Sequence, residues 1–361
     1  MEHEGKDVVF DSRYSSSEWL FGLEPSEELV ELIETGKVPL GKALDLGCGE
    51  GRDSLFLERI IVDLFGNPVD REAVKAISQE LGLHLIEDCA QSTGATFGVA
   101  QVGSFGVGCH SFGEIKNITS AEGGMLTTNS SEVYRKARII RQEGEMWRSL
   151  KVSTIDSTPQ EFSELIYGID YPFLGHNYRM NGLQAALGLS QLHKLDELNK
   201  MRIRNGQYYL KNLENTPGII LPVTNLHARH VFNRFVMRIS EELPLSRDAF
   251  LAALIFEGVP AGVYYPVLLN RATIFKEHRK YRTSAAAASH AGNTFPNAER
   301  LCREQIILPT YPGLAEADLE DVVLAVKKVA RNCQYADISD TVEVAARKVR
   351  ASYFGQFLTV T

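Results

Sequence analysis

Apolar and polar positions alternate along the chain with two periods, and the switches between them mark the elements. Residues 26–35 (SEELVELIET) have helical spacing, with Leu29, Val30, Leu32 and Ile33 as the apolar stripe, Ser26 placed to cap, and Gly36 where a helix end favours a left-handed residue. Residues 41–59 read as a short apolar strand (43–46), a loop holding Gly47, Gly49 and Gly51, and the start of a helix at Ser54. The pattern then predicts a strand over 60–64, a turn at Gly66-Asn67-Pro68, and a helix over 71–83 with Val74, Ile77 and Leu81 on one face. A buried strand over 83–86 runs straight into Glu87-Asp88, and two more short strands are expected in VGCHSF and GGMLTTN. A polar-faced helix over 131–142, a long irregular loop over 145–170 and a strong helical pattern over 181–213 follow. From about residue 217 a second, smaller α/β pattern begins, with strands near 229–238 and 259–265 and a last helix near 316–331. Residues 283–292 (TSAAAASHAG) read as a connector, and the tail carries a helical stretch over 342–353. Strands alternating with helices imply an α/β fold with a mostly parallel sheet.

Composition narrows the class. The 361 residues are 44% hydrophobic and 23% charged, an ordinary globular balance. Lys plus Arg is 38 against 46 Asp plus Glu, a net charge of −8 with no basic tract, so a nucleic-acid surface is not expected. No apolar run approaches the roughly 20 residues of a membrane helix, and MEHEGKDVVF lacks the basic and apolar regions of a signal peptide. The five cysteines, Cys48, Cys89, Cys109, Cys302 and Cys333, are odd in number and form no CxxC pair. Reduced thiols in a cytoplasmic protein are expected, with no disulfide framework and no metal site.

Candidate chemistry concentrates in residues 88–129. Asp88 ends an apolar strand, and in open α/β sheets ligands bind beyond the carboxyl ends of strands, although strand-end acids also cap helices. Lys116 stands between two strands in a loop of Ser, Gly, Asn and Thr. A lysine held by sheet on both sides can become a nucleophilic amine when desolvation and nearby cations depress its pKa, whereas a loop lysine is more often simply solvated.

The strings IEDCAQSTGATFG, VGSFG, HSFGEIKN and EGGMLTTN, in that order and continuing through LGHNYRMNGLQAALGLSQLHKLDELNKMR, resemble the DegT/StrS family of sugar aminotransferases. The resemblance covers about residues 60–333. It implies the pyridoxal-phosphate (PLP) fold type I, like aspartate aminotransferase, with a truncated large PLP-binding domain over 61–214, a small C-terminal α/β domain over 215–334 and a tail over 335–361. It also implies roles. Lys116 is similar to the lysine that bonds to the cofactor aldehyde, and Asp88 to the carboxylate that pairs with the pyridine nitrogen. Gln91 would contact the ring or its phenolic oxygen, Ser111 would hold the phosphate, and Asn177 would reach the phosphate of a neighbouring subunit, which implies a homodimer. The implied reaction moves an amino group from glutamate or glutamine to a keto sugar, nucleotide-linked or a cyclitol. Lys116 argues against the relatives that carry histidine there and dehydrate instead.

Residues 17–59 resemble a different family, the start of a class I S-adenosylmethionine-dependent methyltransferase, through DLGCGEG after an apolar strand. Asp45, Gly47, Gly49 and Gly51 would form its cofactor loop, or an anion-binding loop in place of the aminotransferase family's Ser-Gly-Thr phosphate loop, which has no counterpart here. The resemblance stops at Arg59, and residues 1–60 are too few for a complete methyltransferase, so S-adenosylmethionine is not expected as a cofactor. The alternatives to amino transfer are a catalytically inactive truncated or fusion remnant and a residual S-adenosylmethionine-binding methyltransferase fragment. Other residues have two readings each. Arg179 suits a substrate anion or a salt bridge, and His110 lines the site or fills the strand end. Tyr264-Tyr265-Pro266 forms a substrate-side segment or core, and His227 with His230 lacks the acidic partner a metal site needs.

Overall fold

The computed structural model describes residues 60–80, 84–147, 169–268, 271–273 and 295–332. The methyltransferase-like segment with Asp45, Gly47, Gly49 and Gly51, the connector over 283–292 and the tail all lie outside the described residues.

In chain order the elements are β1 (Ile60–Val62), α1 (Arg71–Glu80), β2 (Ile86–Asp88), β3 (Thr96–Phe97), β4 (Ala100–Gln101), β5 (Val107–Ser111), β6 (Gly124–Thr128), α2 (Ser131–Arg141), β7 (Met146–Trp147), β8 (Ile169–Asp170), α3 (Gly182–Leu192), α4 (Leu195–Leu213), β9 (Ile219–Ile220), β10 (Ala228–Arg229), β11 (Phe235–Ile239), α5 (Arg247–Phe256), α6 (Pro296–Glu304), β12 (Gln305–Leu308) and α7 (Glu316–Asn332). The central sheet has the order β1-β2-β5-β6. β1, β2 and β5 run parallel, and β6 is antiparallel to β5. Such a sheet puts the carboxyl ends of β1, β2 and β5 along one rim, where Val62, Asp88 and Cys109 stand in register.

Burial explains that rim. β1 is apolar and buried on both faces, as a parallel strand covered by helices requires. α1 forms, with Val74 half-buried and Leu81 outside the described residues. Ile77 is 45% exposed while Arg71 is buried. The cause is electrostatic: Arg71 Nη2 lies 2.5 Å from Asp63 and its Nη1 2.8 Å from Glu87, so a buried cation is matched by two buried carboxylates. Glu87 also accepts the backbone N–H groups of Gly103, Phe105 and Gly106, which pins the loop between β4 and β5 to β2.

The main core lies in the C-terminal part. There β11 sits between β9 and β12, all antiparallel, with α5 and α7 packed over Phe235, Met237, Ile306 and Leu308. The strand expected over 259–265 reduces to one bridge, Gly262 with Ile307, because the chain leaves the sheet at Tyr264. The helical pattern over 181–213 is two helices that break at His193-Lys194. α3 opens with a capping box between Asn181 and Gln184. Within the loop over 145–170, β7 pairs with β8, and residues 148–168 are outside the described residues.

Candidate active site

Three backbone segments converge at the rim. The first is the turn after β1. Gly66 there has φ +92, and a Cβ at this position would stand 2.9 Å from the amide of Asn233. The neighbouring Phe65 is also left-handed, at φ 60. Its N–H donates to Gln91 Oε1 at 2.8 Å, and its carbonyl accepts the Arg234 N–H at 3.3 Å. The second segment follows β2. Asp88 Oδ1 accepts the Ala90 N–H at 2.9 Å, which orients the carboxylate at the strand end, and Gln91 Nε2 donates to Tyr265 Oη at 3.0 Å. The third is the loop from β5 to β6, closed by Lys116 N–H to Gly113 carbonyl and Ser120 N–H to Phe112 carbonyl.

Lys116 is half-buried in that loop. Burial holds its amine below the ordinary lysine range. The negative charge of Asp88 opposes this, and the positive charge of Arg234 adds to it. Two sequence candidates, Asp88 and Lys116, are therefore near enough for their charges to interact. The next residue anchors the loop. Asn117 accepts from Asn233 Nδ2 at 2.8 Å and donates to Asn199 Oδ1 at 2.7 Å, and Asn199 Nδ2 reaches the Thr93 carbonyl at 3.0 Å. This buried asparagine chain ties Lys116 to α4 and to the segment before β11. A neutral network of this kind fixes position without adding charge beside the amine.

The remaining candidates are spread around this centre. Ser111 ends β5, and its Oγ accepts the Gly113 N–H at 3.4 Å. Asn177 is exposed and forms an isolated bridge with Gln142. Arg179 pairs with Glu143 at 3.0 Å on the surface, the salt-bridge reading of that residue. His110 lies between Thr93 and Thr127, 3.4 Å from each hydroxyl, and burial lowers its pKa. His230 is buried and stacks on Phe232 at 3.8 Å, and His227 meets Phe97 edge-on. Tyr265 stands in the site through Gln91, and Tyr264 lies under the Arg234 guanidinium at 4.1 Å.

Sequence reasoning passed over Asn117, Asn199, Asn233, Arg202 and Arg234. The asparagines look like ordinary loop and helix residues until three distant segments meet. Arg234 directly follows one of them, so adjacency to a buried polar contact was the only available signal. Chemically, an amine depressed by burial, with a carboxylate near enough for the charges to interact, can act as nucleophile and proton carrier.

The profile described as the DegT/DnrJ/EryC1/StrS aminotransferase family matches residues 59–327. Uncharacterized protein MJ1066 of Methanocaldococcus jannaschii is 30% identical over 276 residues, which are 75% of this chain and 66% of that protein. Among solved structures, S. venezuelae DesV aligns with a TM-score of 0.61 at 28% identity, over 76% of this chain and 65% of DesV. An aminotransferase from Psychrobacter cryohalolentis aligns with a TM-score of 0.64 at 27% identity, over 76% of this chain and 69% of its own. The chain thus spans about two thirds of the length of the relatives it matches.

Proposed function

The chain belongs to the DegT/DnrJ/EryC1/StrS aminotransferase family, and from that premise we propose that it is a PLP-dependent aminotransferase acting on a keto sugar. Its α/β architecture is that of the PLP enzymes of fold type I. The observation that carries the reading is the half-buried Lys116 in the loop after β5, its amine depressed by burial and near enough to Asp88 at the end of β2 for their charges to interact.

These residues fit PLP. Bound there, the cofactor supplies an electron sink for the carbanion that forms when the α-proton leaves. Lys116 Nζ would hold the cofactor through its aldehyde and, when free, its amine would take up the donor's α-proton and return it as the amino group moves. Asp88, held by the Ala90 amide, keeps the ring nitrogen protonated. Gln91, fixed by Phe65 and Tyr265, contacts the ring. Ser111 would hold the phosphate, and Asn177 of a second copy would reach it in a homodimer. Glutamate or glutamine is the donor, and a nucleotide-linked keto sugar the acceptor. Residues 61–214 form the cofactor domain and 215–334 the smaller one. The protein works in the cytoplasm, which suits the free thiols of Cys89, Cys109 and Cys302.

The test is borohydride reduction of the protein loaded with PLP, followed by peptide mass mapping, with Lys116→Ala as control. A phosphopyridoxyl group on Lys116 alone is expected. Label scattered over surface lysines, or unchanged in Lys116→Ala, would refute the assignment.

A further inference from the structure

Two arginines beside the site have no use in the scheme above. Arg234 begins one residue after Asn233, and Arg202 lies one helical turn beyond Asn199 on α4. The asparagine chain Asn233–Asn117–Asn199 thus has Arg234 and Arg202 close in sequence to its two ends, with Asn117, the neighbour of Lys116, at its centre. Neither forms an ion pair with a carboxylate among the described residues, and the Nε of each is buried with no hydrogen-bond partner. Arg234 is braced from one side by the Tyr264 ring at 4.1 Å, and Tyr264 packs edge-on against Tyr265 at 4.8 Å. Elsewhere in the molecule, the buried Arg71 has two carboxylates.

Such an arrangement is unfavourable by itself. Two cations near one another repel, and a buried N–H without an acceptor loses about 1–3 kcal/mol of solvation. Burial, and then the charge of Arg234, push the Arg202 pKa down to about 10. An anion bound by the two guanidinium groups offsets their mutual repulsion. Guanidinium suits it because planar, paired N–H groups match the oxygens of carboxylate or phosphate.

Resting on the amino-transfer reading, we propose that Arg202 and Arg234 form a substrate-anion subsite, braced by Tyr264, which takes the anionic oxygens of a carboxylate or phosphate group as the substrate's reacting end meets Lys116. An amino-acid donor supplies the carboxylate and a nucleotide-linked acceptor supplies the phosphate. The chemistry is shared, and binding separates the two sources.

The experiment is calorimetric titration of the PLP-loaded protein with L-glutamate and, separately, with uridine 5′-diphosphate, for the wild type, Arg202→Gln, Arg234→Gln and Arg234→Lys. Loss of one charge-assisted contact predicts about 10- to 100-fold weaker binding of the recognised anion in both Gln variants. Arg234→Lys falls in between, because it keeps the charge and loses the planar fork. Weakening for uridine diphosphate alone identifies the phosphate source, and weakening for glutamate alone the carboxylate source. Weakening of both means one pocket serves the two substrates in turn. As a measurement independent of variants that fold poorly, the wild type is treated with phenylglyoxal, and the bound anion should protect Arg202 and Arg234 from modification. Unchanged affinity for both probes, no binding by the wild type, or a loss confined to PLP itself would overturn the subsite. Lys116 labelling reports separately: a failure there with arginine-dependent anion binding intact removes amino transfer and leaves the subsite.

Discussion

Asp88 and His230 show how single side chains here are set by what surrounds them. Asp88 ends β2 with its carboxylate steered by the Ala90 amide, so replacing it by Asn keeps the shape and removes the charge. On the amino-transfer reading, Asp88→Asn loses a charge-assisted hydrogen bond of about 3 kcal/mol, and kcat should fall about 100-fold with Lys116 still labelled. An unchanged kcat would separate Asp88 from the chemistry. His230 makes the opposite case, a titratable group used for architecture. Its Nδ1 accepts the Phe232 N–H at 2.9 Å, and burial pushes its pKa down to about 3, which a bond to the Gly66 backbone partly offsets. Because the folded value lies below the unfolded one, the unfolded chain binds the extra proton between them. Stability is therefore fully present above about pH 6.5 and is lost as pH falls toward 3, by up to about 1.4 kcal/mol per pH unit. Urea midpoints at pH 7 and pH 5 check this, and His230→Asn should flatten the difference. Asp88 and Lys116 were legible through the family motifs around them, since the strand end and the loop alone left each with two readings. Arg202 and Arg234 were not, because their meaning comes from partners they lack, and only assembled segments reveal a missing partner.

At the scale of elements, periodicity found those whose surroundings are simple. β5, β6, α2 and α7 lie within a residue or two of their expected bounds, each being read by one apolar or polar face. It missed β12, where four buried residues in a row show no alternation, and α6, which is mostly polar. In α1 it did not reveal that the buried positions are Arg71 and Ser78, since no pattern of apolar residues announces a buried arginine. The junction between α4 and the segment before β11 deserves a direct test because it carries the asparagine chain. Gly206 on α4 faces the Phe232 ring so closely that a Cβ would stand 2.5 Å from it. The ring cannot retreat, being stacked on His230 at 3.8 Å. Gly206→Ala gains about 0.5–1 kcal/mol of helix propensity and loses about 1–3 kcal/mol to overpacking. The clash should win, lowering the urea midpoint and loosening the anchor of Lys116. A stabilised variant would mean that α4 can slide away without cost.

For the molecule as a whole, the telling surface is α3. It is rich in Leu and Ala, yet none of its residues is buried, and Leu183 is 86% exposed. A helix apolar on most sides is normally covered. More apolar surface lies at Tyr178 just before α3, and at Met125 and Leu126 on β6, whose one strand partner among the described residues is β5. Asn177 stands five residues ahead of α3, so a second copy seated on this helix meets the residue assigned to the neighbouring subunit's phosphate. A stable interface needs about 800 Å² from each partner, and a three-turn apolar helix with its flanks is a reasonable core for one. The loaded protein should therefore sediment as a dimer. Leu183→Glu combined with Leu187→Glu should shift it to monomer and, on the proposed sharing of Asn177 between subunits, speed loss of PLP. Leu226→Glu, equally exposed but far along the chain before β10, should leave the dimer intact. If the double variant stayed dimeric, α3 would not be the interface. If it became monomeric and held PLP as tightly as before, Asn177 would have no part in the partner's site, and each subunit would bind the cofactor with its own residues.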